Sequence, residues 1–108
     1  MDAELNQVWK AYNGRDLPSY TEKIPFLVLC SLVHYVVNRH STGNFLTAFL
    51  SNELNQAISY ADNESLAAFR EINYFIYNHC PSKCWGSPTK VSDWLTNKEA
   101  RLLTPKGD

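Results

Sequence analysis

Residues 26–38 read Phe-Leu-Val-Leu-Cys-Ser-Leu-Val-His-Tyr-Val-Val-Asn, an apolar run that has to be covered from several directions. At helical spacing Phe26, Leu29, Cys30, Val33, Val36 and Val37 share one face, while Leu27, Val28, Leu32 and Tyr35 occupy much of the remainder. A helix apolar nearly all round is stable only when more than one side is packed. Its β-branched residues also suit a strand, but the run is too long for a typical strand, so a helix is expected. Pro25 fits the first turn, where a missing N–H is not needed. The N-terminal helix supplies one cover, and residues 26–37 also offer a contact for a second subunit. His34 falls on the flank beside Ser31 and Asn38, with no metal partner at a suitable spacing nearby, and reads as a hydrogen-bonded boundary histidine.

The rest of the chain supplies short amphipathic helices. Leu5, Val8, Trp9 and Tyr12 mark one face of a helix over residues 2–12, with Asp2 as N-cap and Gly14 as stop. Residues 13–19 then carry the marks of a connecting loop, so residues 1–24 form an N-terminal extension of helix and loop. Ser41 or Thr42 caps a helix over 43–50 that buries Phe45, Leu46, Phe49 and Leu50. Asn52 is the expected N-cap of the next helix, 53–60, with Leu54, Ala57 and Ile58 inside. Asp62 caps the longest helix, 63–79. On a helical wheel Leu66, Phe69, Asn73, Ile76, Tyr77 and Cys80 fall in one sector, with Ile72 at its edge. Asn73 is therefore expected to be buried and to bond a neighbouring helix end or loop carbonyl. Tyr74 and Phe75 point off that stripe, which predicts a second core contact or an exposed aromatic patch. A final helix over 88–97 aims Val91, Trp94 and Leu95 inward, and residues 98–108 form a partly frayed tail. The expected fold is all-α: a compact bundle of five to six short helices in a single domain spanning residues 1–108.

Five Phe, six Tyr and three Trp give a chain of 108 residues enough apolar area for one core without metal or disulfide help. Ten basic against eleven acidic residues leave a net charge of -1, which argues against general nucleic-acid binding. Three cysteines cannot close a complete disulfide framework and suit a reducing cytoplasm. Met1-Asp-Ala-Glu opens no secretory signal, and the longest apolar run is far short of the roughly 20 residues that span a membrane.

Cys80-Pro-Ser-Lys-Cys84-Trp-Gly-Ser-Pro88 marks a sharp corner between the last two helices. Trp85 plugs it, Gly86 permits the backbone reversal, and Ser87-Pro88 is a cap followed by a first-turn proline. Packing is the default role for Cys80 and Cys84, since free cysteine is commonly buried. A metal site would combine them with His79, or with His40 from further away, but no second cysteine pair exists. A redox pair more often has two intervening residues, and Lys83 alone provides little electropositive setting.

The segment Thr42-Gly-Asn-Phe-Leu-Thr-Ala-Phe-Leu-Ser-Asn-Glu-Leu54, followed by Tyr60-Ala-Asp-Asn63, Tyr77-Asn78, Cys84-Trp-Gly-Ser-Pro88 and Trp94, resembles a family of small proteins encoded by tailed phages and by bacteria carrying prophages. The resemblance covers the chain from about Ser31 to Leu95 and implies phage origin. It carries over no reaction, cofactor or catalytic residue. Two departures stand out: Phe26-Leu-Val-Leu-Cys30 replaces a polar start to the second helix, and Arg39-His-Ser41 replaces a Gly-Ile-Pro break.

Neither a Gly-rich phosphate loop, nor His-Glu-x-x-His, nor a nucleophile elbow occurs, and no catalytic set or cofactor is assigned. The leading expectation is a small cytoplasmic helical protein that binds and modulates or inhibits a host or phage protein. Asn52, Asn73, Tyr74, Phe75, Cys84, Trp85, Gly86, Ser87 and Pro88 are the candidate interaction or corner residues. Two alternatives stand beside it: a nucleotide-like pocket using Asn52, Asn73 and the Trp85 corner, and a metal-stabilised fold using His79, Cys80 and Cys84.

Overall fold

The computed structural model describes residues 3–96. Seven α-helices and two single 3-10 turns follow one another there, with no strand among the described residues. The helices are α1 (Ala3–Asn13), α2 (Phe26–Asn38), α3 (Asn44–Leu50), α4 (Leu54–Tyr60), α5 (Asn63–Ala67), α6 (Phe69–His79) and α7 (Pro88–Thr96), with 3-10 turns at Ser19–Lys23 and Ser82–Cys84. The expected all-α bundle is what forms. Asp2 as a cap and the tail over 98–108 lie outside the described residues. No helix among the described residues is long and apolar enough to cross a membrane.

α1 stops as its sequence dictates, because Gly14 takes a φ of 84° and donates its N–H to the Lys10 carbonyl at 2.7 Å. The loop behind it is built rather than slack. Asn6 accepts from the Leu17 N–H at 2.7 Å and donates to Asp16, and the fully buried Thr21 donates its hydroxyl to the Pro18 carbonyl. Leu5, Trp9, Leu17 and Ile24 enter the core together. The N-terminal extension therefore contributes interior, with α1 lying on α2.

α2 is covered along most of its length, and the division of its faces differs from the expected one. Leu32 and Tyr35 are fully buried with Leu29, Val33, Val36 and Val37, whereas Phe26 is 50% and Leu27 77% exposed. The fully exposed positions are confined to the first turn, Cys30, Ser31, His34 and Asn38 form a half-buried edge, and the rest is enclosed. Pro25 precedes the helix as its N-cap, with a φ of -51° and ψ of 136°, and its carbonyl accepts the Leu29 N–H at 3.0 Å. His34 does sit at the boundary, 2.9 Å from the Asn38 amide through Nδ1.

The caps of the middle helices also need correction. Gly43, not Ser41 or Thr42, precedes α3, and the Thr42 hydroxyl instead meets that of Thr47 at 2.9 Å. Asn52 is not an N-cap. It takes a left-handed φ of 65° just past α3, where its N–H bonds the Phe49 carbonyl and that of Glu53 bonds Ala48. This pair of bonds closes α3, and Asn tolerates the conformation better than most residues. Glu53 precedes α4, of which only Ala57 is buried; Leu54 and Ile58 stay 45% and 50% exposed.

Asp62 caps α5 by accepting the Ser65 N–H at 2.8 Å, as expected. The expected long helix is divided at Ala68, whose φ of -102° and ψ of 12° leave the helical range. That break gives seven helices instead of six but leaves the buried stripe continuous. Ser65, Ala68, Ile72, Phe75, Ile76 and Cys80 face inward across it, and Leu66, Asn73 and Tyr77 face water. The buried-amide expectation for Asn73 fails because the buried stripe lies to one side of the expected one.

Candidate functional site

The corner between α6 and α7 is held from α2 and α3. Cys80 leaves α6 in an extended conformation, and Ser82–Cys84 makes one tight turn closed by the Cys84 N–H on the Pro81 carbonyl at 3.0 Å. Gly86 has a φ of 115°, a region unfavourable to other residues, and donates its N–H to the Leu50 carbonyl at 2.7 Å. Ser87 accepts the Lys90 N–H at 3.2 Å, and Pro88 begins α7. The sequence reading of Gly86, Ser87 and Pro88 describes this geometry.

What the sequence reading missed is Tyr35. Its hydroxyl, buried in the centre, donates to the Cys84 carbonyl at 2.6 Å, and its own carbonyl accepts the Trp94 indole N–H at 2.8 Å. Arg39 completes the knot with a bond from Nη1 to the Trp94 carbonyl at 3.2 Å and its guanidinium 3.7 Å over the Trp94 ring. Arg39 manages this from a left-handed φ of 58° at the end of α2. The available signal was the hydroxyl itself, since a tyrosine inside an apolar helix must find a polar partner. Burial pushes the Tyr35 phenol well above its ordinary value, so it stays a neutral donor.

Cys80 and Cys84 are both free and buried. The neighbouring Cys84 thiol, with burial second, pushes the Cys80 thiol upward, the opposite of what a reactive thiolate or metal ligand requires. His79 packs its ring 5.6 Å from Phe75 and 6.3 Å from Tyr20, and burial lowers its pKa. His40 lies elsewhere, stacked 5.7 Å from His34. Among the described residues no three His, Cys, Asp or Glu side chains come together to hold an ion. The thiol pair belongs to the packing of the corner.

The outward face of α6 is the chemically distinctive surface. Arg70, Asn73, Tyr74, Tyr77 and Asn78 are all exposed there. Tyr74 is 44% and Tyr77 69% exposed. The Arg70 guanidinium lies 5.6 Å from the centre of the Tyr74 ring. Asn78 donates to the Tyr74 carbonyl at 3.0 Å, and Tyr20 meets Tyr74 edge-on at 6.1 Å. At the other end Tyr77 approaches Trp85 edge-on at 6.0 Å, which joins the helix face to the corner. Trp85 is half-buried, and its indole N–H is buried without an acceptor.

Of the candidate residues, Asn73 and Tyr74 share this face, with Trp85 at its end. Cys84, Gly86, Ser87 and Pro88 form the corner beneath, while Asn52 closes α3 two residues past the Leu50 carbonyl that holds Gly86. Phe75 belongs to the core, fully buried with its ring 5.0 Å from that of Trp9. Arg70 was missed, although its position four residues before Tyr74 is a signal for pairing on one helix face. No protein-family model, curated protein or solved structure matches the chain.

Proposed function

We propose that the chain is a small helical binding protein, of the phage-encoded kind its motifs resemble, that modulates or inhibits a host or phage protein without catalysis of its own. The setting implied by the resemblance is the cytoplasm of an infected bacterium. The binding surface is the outward face of α6 together with Trp85. One observation carries this reading: two tyrosines one helical turn apart stand 44% and 69% exposed on a helix whose opposite side is locked into the core. Tyrosine, tryptophan and arginine are the residues that dominate binding energy at protein interfaces. Tyr74 and Tyr77 offer large contact area with few rotatable bonds, and the packing of Ile72, Phe75 and Ile76 fixes the helix beneath them.

A photo-crosslinking amino acid placed at Tyr77 is expected to give one discrete protein adduct in a bacterial lysate, lost when Tyr74→Ala is added. The same probe at Lys10, on the exposed side of α1, is expected to give none. Absence of any adduct from position 77, or the same adducts from both positions, refutes the assignment. A second subunit, if one forms through residues 26–37, would sit on Phe26 and Leu27, the exposed start of α2. Sedimentation equilibrium of Leu27→Glu beside the unaltered chain tests that contact.

A further inference from the structure

The α6 face has a chemistry more specific than its aromatic content. From Arg70 to Lys90 a chain of contacts crosses the surface: Arg70 on Tyr74, Tyr77 one turn on, Tyr77 against Trp85, and the Lys90 ammonium over Gly86, 3.7 Å from where a Cβ would stand. Lys83 is exposed two residues before Trp85. Arg70, Lys83 and Lys90 are thus exposed along this stretch, and residues 80–90 hold no carboxylate. Glu71, half-buried beside Arg70, acts on that guanidinium electrostatically and offsets part of its charge, and Asp93 has an interaction of its own. In a chain of net charge -1 this is a local inversion of sign.

We infer that the partner bound by this face is an acidic protein segment, its carboxylates set against Arg70, Lys83 and Lys90 and its apolar side chains against Tyr74, Tyr77 and Trp85. This deepens the proposed function and rests on it. Carboxylates match the guanidinium in geometry as well as charge, and complementary charge sets both encounter rate and partner choice. A single-stranded nucleic acid is the less suitable occupant. It needs ring faces for stacking and a backbone-long row of cations, whereas Tyr74 is already approached by Arg70 and Tyr20, and Tyr77 stands edge-on to Trp85.

The test is fluorescence anisotropy at low ionic strength with the full chain and three labelled probes: a peptide alternating Glu and Leu, the same peptide with Lys for Glu, and a single-stranded oligothymidine. Saturable binding of the acidic peptide alone is expected. Arg70→Glu combined with Lys90→Glu should weaken it about tenfold, Arg70→Lys much less, and Tyr77→Ala also markedly. Circular dichroism melts confirm that these surface variants stay folded. No binding of the acidic peptide, equal binding of its Lys counterpart, tighter binding of the oligonucleotide, or indifference to the charge reversals overturns the inference. The Tyr77 crosslink separates the two levels: an adduct that survives the double charge reversal keeps the face and removes the acidic partner, whereas loss of the adduct with the reversal supports both.

Discussion

α2 and α6 are of similar length and both carry more large side chains than one buried face can hold, yet the fold treats them differently. In α2 the surplus is absorbed: Leu32, Tyr35 and Val36 are inside, and large apolar side chains stand exposed only in the opening turn. In α6 the surplus is displayed, with Phe75 taken into the core and Tyr74 and Tyr77 left out. The difference follows from neighbours. α2 is enclosed by α1 on one side and tied to the corner and α7 on another, whereas α6 has an entire side facing solvent. Apolar surplus is thus a structural property in one helix and an interaction property in the other.

Substitutions can break that contrast or sharpen it. Leu32→Ala removes a fully buried side chain from the enclosed helix and should cost about 2–5 kcal/mol in urea unfolding. A cost near zero would show that α2 is not packed all round. Tyr35→Phe leaves the Cys84 carbonyl without its donor in the interior, and a loss of about 1–3 kcal/mol is expected in the same assay. Ser87→Ala, which leaves the Lys90 N–H without its side-chain cap, should cost about 1 kcal/mol. On the displayed helix, Tyr77→Ser is expected to move stability by no more than about 0.5 kcal/mol while markedly weakening binding of the acidic peptide. A large stability loss there would recast Tyr77 as structural.

The smallest expected effect concerns pH. Burial beside Phe75 and Tyr20 depresses the His79 pKa below 6.5, so the folded state favours the neutral ring. The stability this contributes is present above the unfolded value and is lost as pH falls through the folded one. The melting temperature should therefore drop modestly on acidification below about pH 6, and the drop should be shallower in His79→Gln.

Much of this architecture was legible from local chemistry. Gly14, Asp62, Gly86 and Ser87-Pro88 each have a conformational or capping requirement that few other residues meet, and each does what the sequence announces. Residues 26–38 form a helix over the expected span. The errors arise where local spacing admits more than one face or more than one helix boundary. On residues 63–79 the expected stripe was centred to one side of the true one: Ser65, Ala68, Ile72, Phe75 and Ile76 are buried at an unbroken period across Ala68, which leaves Leu66, Asn73 and Tyr77 outside. Asn52 satisfied the rule for a helix start and equally the rule for a left-handed helix end, and local sequence does not rank the two. Leu54 and Ile58 obey helical spacing, but α4 is short and covered on one side only. The candidate surface was half visible: Tyr74 and Trp85 were named, while Arg70, Tyr77 as an exposed group, and the Tyr35 tie required three dimensions.

The Tyr35 knot also bears on how the molecule comes into being during synthesis. Its hydroxyl waits for Cys84 and its carbonyl for Trp94, the latter 59 positions downstream. Until the corner and α7 leave the ribosome, a growing chain holds its greasiest helix with the central Tyr35 hydroxyl unanswered and the side that meets Trp94 uncovered. A stalled or truncated product ending near α6 would accordingly be a ready substrate for chaperones and proteases, whereas release of the last helix closes the structure in one step.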